Sequence, residues 1–193
     1  MIKYFIGPMT KNVVDAVIEY GKDNSIQIGF IPSRRQIAHN GGYVNGWDTE
    51  SFAKYAGNFY ILRDHSGPAQ GKEEDDGYTS LAYDCENFNA IHIDPWKKYS
   101  DYQSGLKWTV DMIEYCYSIN SDIEYEVGTE QSIRQFSPKQ IDNLLFDLEK
   151  RLSPTHYEKI SYCVIQSGTS LKKNKNTGDY DSDRLSSMIE IVQ

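Results

Sequence analysis

Apolar and polar positions alternate along this chain in short blocks that read as strand, then helix, then strand. Ile2 to Gly7 is strand-like, and Lys11 to Gly21 carries Val13, Val14, Val17 and Ile18 at helical spacing before a glycine stop. Ile26 to Pro32 is a second strand, followed by a polar, Gly-rich stretch from Ser33 to Gly46. Thr49 to Ala56 predicts a short helix, Phe59 to Leu62 a third strand, and Arg63 to Gly77 a charged loop. Tyr78 to Glu86 predicts a helix with Leu81, Ala82 and Cys85 on one side, and Ala90 to Ile93 a fourth strand ending in Asp94-Pro95. From Gly105 to Ile119 the stripe Trp108, Met112, Ile113, Cys116 and Ile119 predicts a helix, and Ile123 to Val127 is strand five. Ser137-Pro138 starts a helix with Ser as N-cap and Pro in the first turn, and Ile141, Leu144, Leu145, Leu148 and Leu152 face its core. Ile160 to Ile165 is strand six, Gly178 to Asp183 a turn, and Arg184 to Val192 a last helix.

Six βα units predict an α/β fold with parallel strands and helices packed outside them. Two arrangements fit that order, a doubly wound open sheet or a (β/α) barrel. A complete eight-unit barrel takes about 250 residues, and this chain has 193.

Composition removes several function classes. A formal net charge of −8 and basic clusters no longer than two or three residues argue against a nucleic-acid binder. The apolar runs are far shorter than the roughly 18 residues of a membrane span, and the apolar start reads as a strand, too short for a secretory signal. Cys85, Cys116 and Cys163 are odd in number and lack metal-ligand spacing, which fits reduced thiols in a cytoplasmic protein. Phosphate-binding glycine loops and nucleophile elbows are missing from the sequence.

The polar residues instead gather where the predicted strands end. Parallel strands deliver their C-terminal ends to one face, where α/β proteins bind ligands. Arg35 and Gln36 follow strand two, Asp64 and His65 strand three, Asp94 ends strand four, Glu126 lies in strand five, and Gln166 follows strand six. A neutral imidazole at His65 can hold zinc or a similar metal, and the neighbouring Asp64 carboxylate can move a proton; taken alone, the pair more often reads as a loop-capping Asp64 beside an ordinary surface or hydrogen-bonded His65. A carboxylate inside a β block, as at Glu126, needs a partner such as a metal, an arginine or a substrate hydroxyl. Arg34-Arg35 could grip a phosphate or carboxylate, with a solvated charge pair as the even alternative. Arg35, Gln36, Asp94 and Gln166 are the candidate substrate-binding positions. His92 falls on the same strand face as Asp94; a satisfied core histidine is the favoured reading, and a second metal ligand the other.

Taken in order, Gly41-Gly42-Tyr43, Asp64-His65-Ser66-Gly67-Pro68, Ile91-His92-Ile93-Asp94, Glu126-Val127-Gly128-Thr129-Glu130, Val164-Ile165-Gln166-Ser167-Gly168 and Tyr180-Asp181 resemble a known family. It is the Z-type, non-catalytic subunit family of D-tagatose-bisphosphate aldolase, which is similar to class II, metal-dependent aldolases. The resemblance implies a TIM-barrel fold, with residues 1–193 the N-terminal part of a single, incomplete barrel domain. It also implies a lyase that acts on, or binds, a ketose phosphate by metal-assisted carbon–carbon cleavage. Asp64 would match the catalytic acid/base and His65 a ligand of a divalent metal, with zinc the expected ion. Asp94 and Glu126 would lie near substrate or a second metal position.

The chain departs from the family pattern in three places. Val44-Asn45-Gly46-Trp47 replaces the compact Thr-Gly-Met, Arg34-Arg35-Gln36 stands where the family tends to have Ser-Asn-Gln, and Gln166 follows strand six where catalytic class II aldolases carry a histidine. The alternative role is therefore a non-catalytic subunit that stabilises an aldolase partner or binds a sugar phosphate. Six strands would leave two open edges, which a homo-oligomer or partner subunit would cover.

Overall fold

The computed structural model describes every residue except Met1, Lys3 and Lys173. It is a mixed α/β fold: among the described residues, seven helices accompany a four-stranded parallel sheet of order β3-β4-β5-β6. No described helix is long and apolar enough to cross a membrane. The chain divides into two compact units, Met1–His92 with Tyr115–Glu124, and Ile93–Glu114 with Tyr125–Gln193.

In the first unit β1 (Tyr4–Ile6) pairs in parallel with β2 (Ile28–Phe30), Phe5 opposite Gly29. The strands are tight there: a Cβ on Gly29 would fall 2.6 Å from the Phe5 ring. Helix α1 (Lys11–Asn24) is capped by Thr10, whose hydroxyl accepts from the Val13 amide. The predicted stop at Gly21 is overrun by three residues. Gly21 serves contact rather than termination, because a Cβ would lie 2.8 Å from the Phe59 ring, and the left-handed residue that ends the helix is Ser25. Val14, Phe30, Ile37, Phe52, Ile61 and Phe88 form the core, with α2 (Thr49–Ala56) supplying Phe52.

Strand β3 (Leu62–Ser66) corrects the prediction, which ended the third strand at Leu62 and placed Arg63 to Ser66 in a loop. Arg63 is fully buried inside the strand. It can be there because its guanidinium meets the Asp84 carboxylate of α3 (Tyr78–Asn87) at 2.6 and 2.9 Å and the carbonyls of Pro32 and Ile37 at 3.0 and 2.8 Å. A charge with that many partners reads as polar in sequence yet behaves as core. Strand β4 (Ala90–Ile93) has the predicted bounds and is buried throughout, the usual state of an inner strand of a parallel sheet.

Helix α4 (Tyr102–Ile119) runs from the second unit into the first and begins three residues before the predicted Gly105. Gly105 is needed mid-helix because the Trp96 ring lies on it, 2.2 Å from where a Cβ would be. Strand β5 (Glu124–Val127), in the second unit from Tyr125 on, pairs in parallel with β6 (Ile160–Cys163). Helix α5 (Pro138–Arg151) starts as predicted, with a complete capping box between Ser137 and Gln140 and with Ile141, Leu144 and Leu148 buried. A four-residue helix α6 (Pro154–Tyr157) follows it. An unpredicted antiparallel hairpin joins β7 (Ser170–Lys172) to β8 (Lys175–Thr177), where the lysines read as a solvated loop; Lys173 of that run lies outside the described residues. The last helix, α7 (Ser182–Val192), starts two residues early because Asp181 caps it.

Candidate metal centre

Strand β3 brings the sharpest of the candidate groups together. The Asp64 amide donates to the Pro32 carbonyl at 3.0 Å, and a parallel bridge pairs Asp64 with Ser33, so this part of the strand is anchored. In a straight strand Asp64 and His65 would project to opposite faces. His65 instead takes a left-handed backbone, φ +44°, which turns its imidazole back toward the carboxylate. His65 Nε2 then stands 3.6 Å from Asp64 Oδ1.

His92, on the neighbouring strand β4, completes the cluster. Its ring centroid is 4.8 Å from that of His65, and its Nδ1 accepts a long 3.4 Å bond from the His65 amide. One ligand atom from each of Asp64, His65 and His92 falls within a 4.8 Å span. Asp64 and His65 keep 32% and 23% of their side-chain surface exposed, whereas His92 is 2% exposed. The cluster therefore has a wet side that a small molecule can reach and a dry side that fixes an imidazole.

The donor set suits a divalent metal. Two nitrogens and one carboxylate oxygen match zinc and its first-row neighbours better than magnesium or calcium, which prefer all-oxygen shells. Next in the chain, Ser66 has a buried hydroxyl without a hydrogen-bond partner among the described residues. The sequence did carry a signal for His92, its place two residues before Asp94, but only the pairing of β3 with β4 sets it beside His65.

The other predicted residues have different surroundings. Arg35 is exposed, while its neighbour Arg34 is buried, bonded to the Gly67 carbonyl at 2.7 Å and paired through both terminal nitrogens with Asp75. That pairing holds the Asp75 carboxyl below the usual range, chiefly through the hydrogen bonds from Arg34. Gln36 is buried, its carbonyl oxygen accepting from the Ser33 amide at 2.8 Å and its amide nitrogen 3.1 Å from Met9 Sδ.

Asp94, Glu126 and Gln166 belong to the second unit. Asp94 is fully buried and accepts from the Trp96 amide and the Thr129 hydroxyl, each at 3.2 Å. Glu126 is half-buried in β5, in register with Tyr162. Burial first, then the Glu126 charge, pushes the Cys163 thiol up to about 12. Gln166 is committed as a brace: its nitrogen donates to the carbonyls of Thr129 and Arg134, each at 2.8 Å, and its oxygen accepts from the Phe136 amide and from Arg184, each at 2.9 Å. Those four bonds use the whole hydrogen-bonding capacity of a primary amide.

No protein-family model matches this chain, and no curated protein matches it. Among solved structures it is similar to the crystal structure of a probable tagatose 6 phosphate kinase from Sinorhizobium meliloti 1021, with a TM-score of 0.78 and 14% sequence identity. The likeness covers 100% of this chain and 56% of that protein, so the chain spans little more than half the length of its structural relative. At that identity the likeness establishes a common fold.

Proposed function

We propose that this chain is an aldolase-type domain that binds a ketose phosphate beside Asp64, His65 and His92 and cleaves it reversibly between two carbons. The observation that carries the reading is the close grouping of one carboxylate and two imidazoles with a solvent-facing side. The name of the structural relative, a probable tagatose 6 phosphate kinase, supports a phosphorylated sugar as the ligand class. Architecturally, residues 1–193 are the N-terminal part of a (β/α) barrel.

In the cleavage direction Asp64 takes the proton from the hydroxyl oxygen on the carbon at the far end of the breaking bond. That carbon becomes the carbonyl of the leaving aldehyde, the bonding electron pair passes to the carbon beside the ketone, and the Asp64 carboxyl then returns its proton to that carbon, which releases the second product and restores the carboxylate. A divalent cation, zinc as the expected ion, supplies Lewis acidity toward the ketone oxygen when bound. Arg35, exposed after β2, is the candidate for the substrate phosphate. The unpaired thiols Cys85, Cys116 and Cys163 suit a reducing, cytoplasmic setting.

The test is retro-aldol cleavage of D-tagatose 1,6-bisphosphate by the full-length protein with added zinc. Asp64→Asn is expected to lower turnover by about 10²–10⁴-fold. An unchanged rate in Asp64→Asn removes Asp64 from the mechanism. The alternative, a sugar-phosphate-binding subunit that stabilises an aldolase partner without turnover, is favoured by one observation: the Gln166 amide is wholly engaged within the protein. Ligand-induced stabilisation with no cleavage by any form would select it.

A further inference from the structure

We propose that the first compact unit binds a partner protein through an apolar groove at the N-terminal ends of β2 and β3, and that the groove takes a basic amphipathic helix of that partner. The inference goes beyond the aldolase-type reading and does not rest on it, because the groove shares no residue with the cluster of Asp64, His65 and His92.

The groove has a volume of about 620 Å³ and is lined by Ile18 of α1, Ile26 and Ile28 where the chain enters β2, Tyr55 of α2, and Phe59 and Tyr60 ahead of β3. Ile26 and Tyr55 are each 41% exposed. It continues on two sides: a hollow edged by Asp15 and Glu19 shares Ile18, Lys22 and Tyr55 with it, and one edged by Asp122 and Glu124 shares Tyr60. All of these residues belong to one unit. Apolar surface that is open to water and rimmed by charge is where soluble proteins meet partners, and tyrosine is among the residues that contribute most there. Tyr60 lies four residues before Asp64, about 13 Å along an extended chain, so an occupant of the groove leaves the Asp64 end of β3 open.

Backbone pairing and charge select the occupant. Strand β2 pairs with β1 and bridges to Ile61, while β3 bridges back to Ser33 and pairs with β4. With both edges taken, these strands offer no ladder to an added strand, and the occupant has to satisfy its own backbone, as a helix does. Four carboxylates, those of Asp15, Glu19, Asp122 and Glu124, and one lysine, Lys22, line the groove and its two extensions. Lys11 offsets Asp15, to whose two oxygens it donates at 2.9 and 2.8 Å, and the balance stays negative. A second copy of this chain would set that rim against itself across a twofold axis, and the formal net charge of −8 adds to the repulsion. A helix with apolar side chains on one face and lysines or arginines beside them meets both the groove and its rim.

Panning a phage-displayed library of random peptides of about 16 residues, enough for about four helical turns, on the full-length chain tests the groove, with affinities read by fluorescence anisotropy. Enriched peptides are expected to carry net positive charge and apolar residues at helical spacing. Ile26→Asp is expected to weaken their binding at least about tenfold. Glu19→Lys, at an exposed rim position, is expected to weaken it about three- to tenfold at low salt and much less at about 0.5 M salt. Phe146→Ser, which removes an exposed ring of α5 in the second unit, is expected to bind as wild type. A proline at the centre of the peptide is expected to abolish binding. Should Ile26→Asp fail to fold, Glu19→Lys and the proline peptide decide. The proposal is overturned if no sequence enriches, if the enriched peptides are acidic or keep their affinity with the proline, if either folded groove variant binds unchanged, or if Phe146→Ser loses binding. It is equally overturned by a dimer of the chain in light scattering that Ile26→Asp dissociates, which assigns the groove to a second copy. Sedimentation of the chain with phosphatidylcholine vesicles, released by Ile26→Asp, overturns it in favour of a lipid surface.

Discussion

Arg63 and the pair that follows it are consecutive on β3, yet their surroundings differ in kind. Arg63 is sealed from water, stacked over the Phe88 ring at 4.7 Å, and bonded to Asp84 and two carbonyls. Asp64 and His65 keep part of their surface in water and face one another at 3.6 Å, with the His65 backbone left-handed. A charged group whose donors are consumed by the protein builds the framework. Polar groups that converge with one side open are placed for a ligand. The same contrast separates Gln166, saturated inside the second unit, from Arg35, which is exposed.

The largest effect should come from breaking the framework half of that contrast. Asp84→Ala leaves the Arg63 charge buried without its partner and is expected to lower stability by about 3–5 kcal/mol, read by urea denaturation. Replacing both, Arg63→Met with Asp84→Leu, should recover most of the loss.

His65→Gly is expected to move stability the other way. Glycine tolerates the left-handed backbone, so the variant should gain up to about 1 kcal/mol, read by urea denaturation. A framework residue would show the opposite sign.

A smaller effect is expected at Arg34–Asp75. The Asp75 carboxyl is depressed in the folded state by Arg34, so its contribution is full above its ordinary value of 3.8 and is lost as pH falls through the folded-state value. The melting-temperature gap between wild type and Asp75→Asn should therefore hold steady from pH 7 to about 4.5 and narrow below about 4. A gap that widens in acid would contradict the pairing.

The smallest concerns Cys163, whose thiol burial and Glu126 raise to about 12. Native protein at pH 8 should alkylate there only slowly. Glu126→Gln should speed the reaction modestly, because burial remains the main cause, with mass spectrometry as the readout.

Local sequence was most informative where side chains meet their neighbours along one element. The Ser137 cap, Pro138 and the leucine stripe of α5 lie at or within the helix itself, and the structure has them where the pattern put them. It was least informative where a distant residue decides. Arg63 looks like a loop residue until Asp84, 21 positions away, neutralises it. His92 looks like an ordinary core histidine until the neighbouring strand sets His65 against it. The β7–β8 hairpin escaped notice because its β8 residues are mostly exposed and polar, which leaves no alternation to read. The predicted site residues divide in the same way: adjacency along the chain put Asp64 beside His65, but nothing local could reveal that the Gln166 amide is fully engaged by Thr129, Arg134, Phe136 and Arg184.

The placement of the tryptophans gives each unit an optical signal of its own, Trp47 in the first and Trp96 with Trp108 in the second. Trp47, in the first unit, packs on Phe52 and Tyr55 with ring centroids 5.8 and 4.7 Å away. Trp96, in the second, is fully shielded, seated on Gly105 with the Arg134 guanidinium 5.2 Å from its ring. Following indole emission during denaturation, with Trp47→Phe to silence the first, reports the loss of structure in each unit separately.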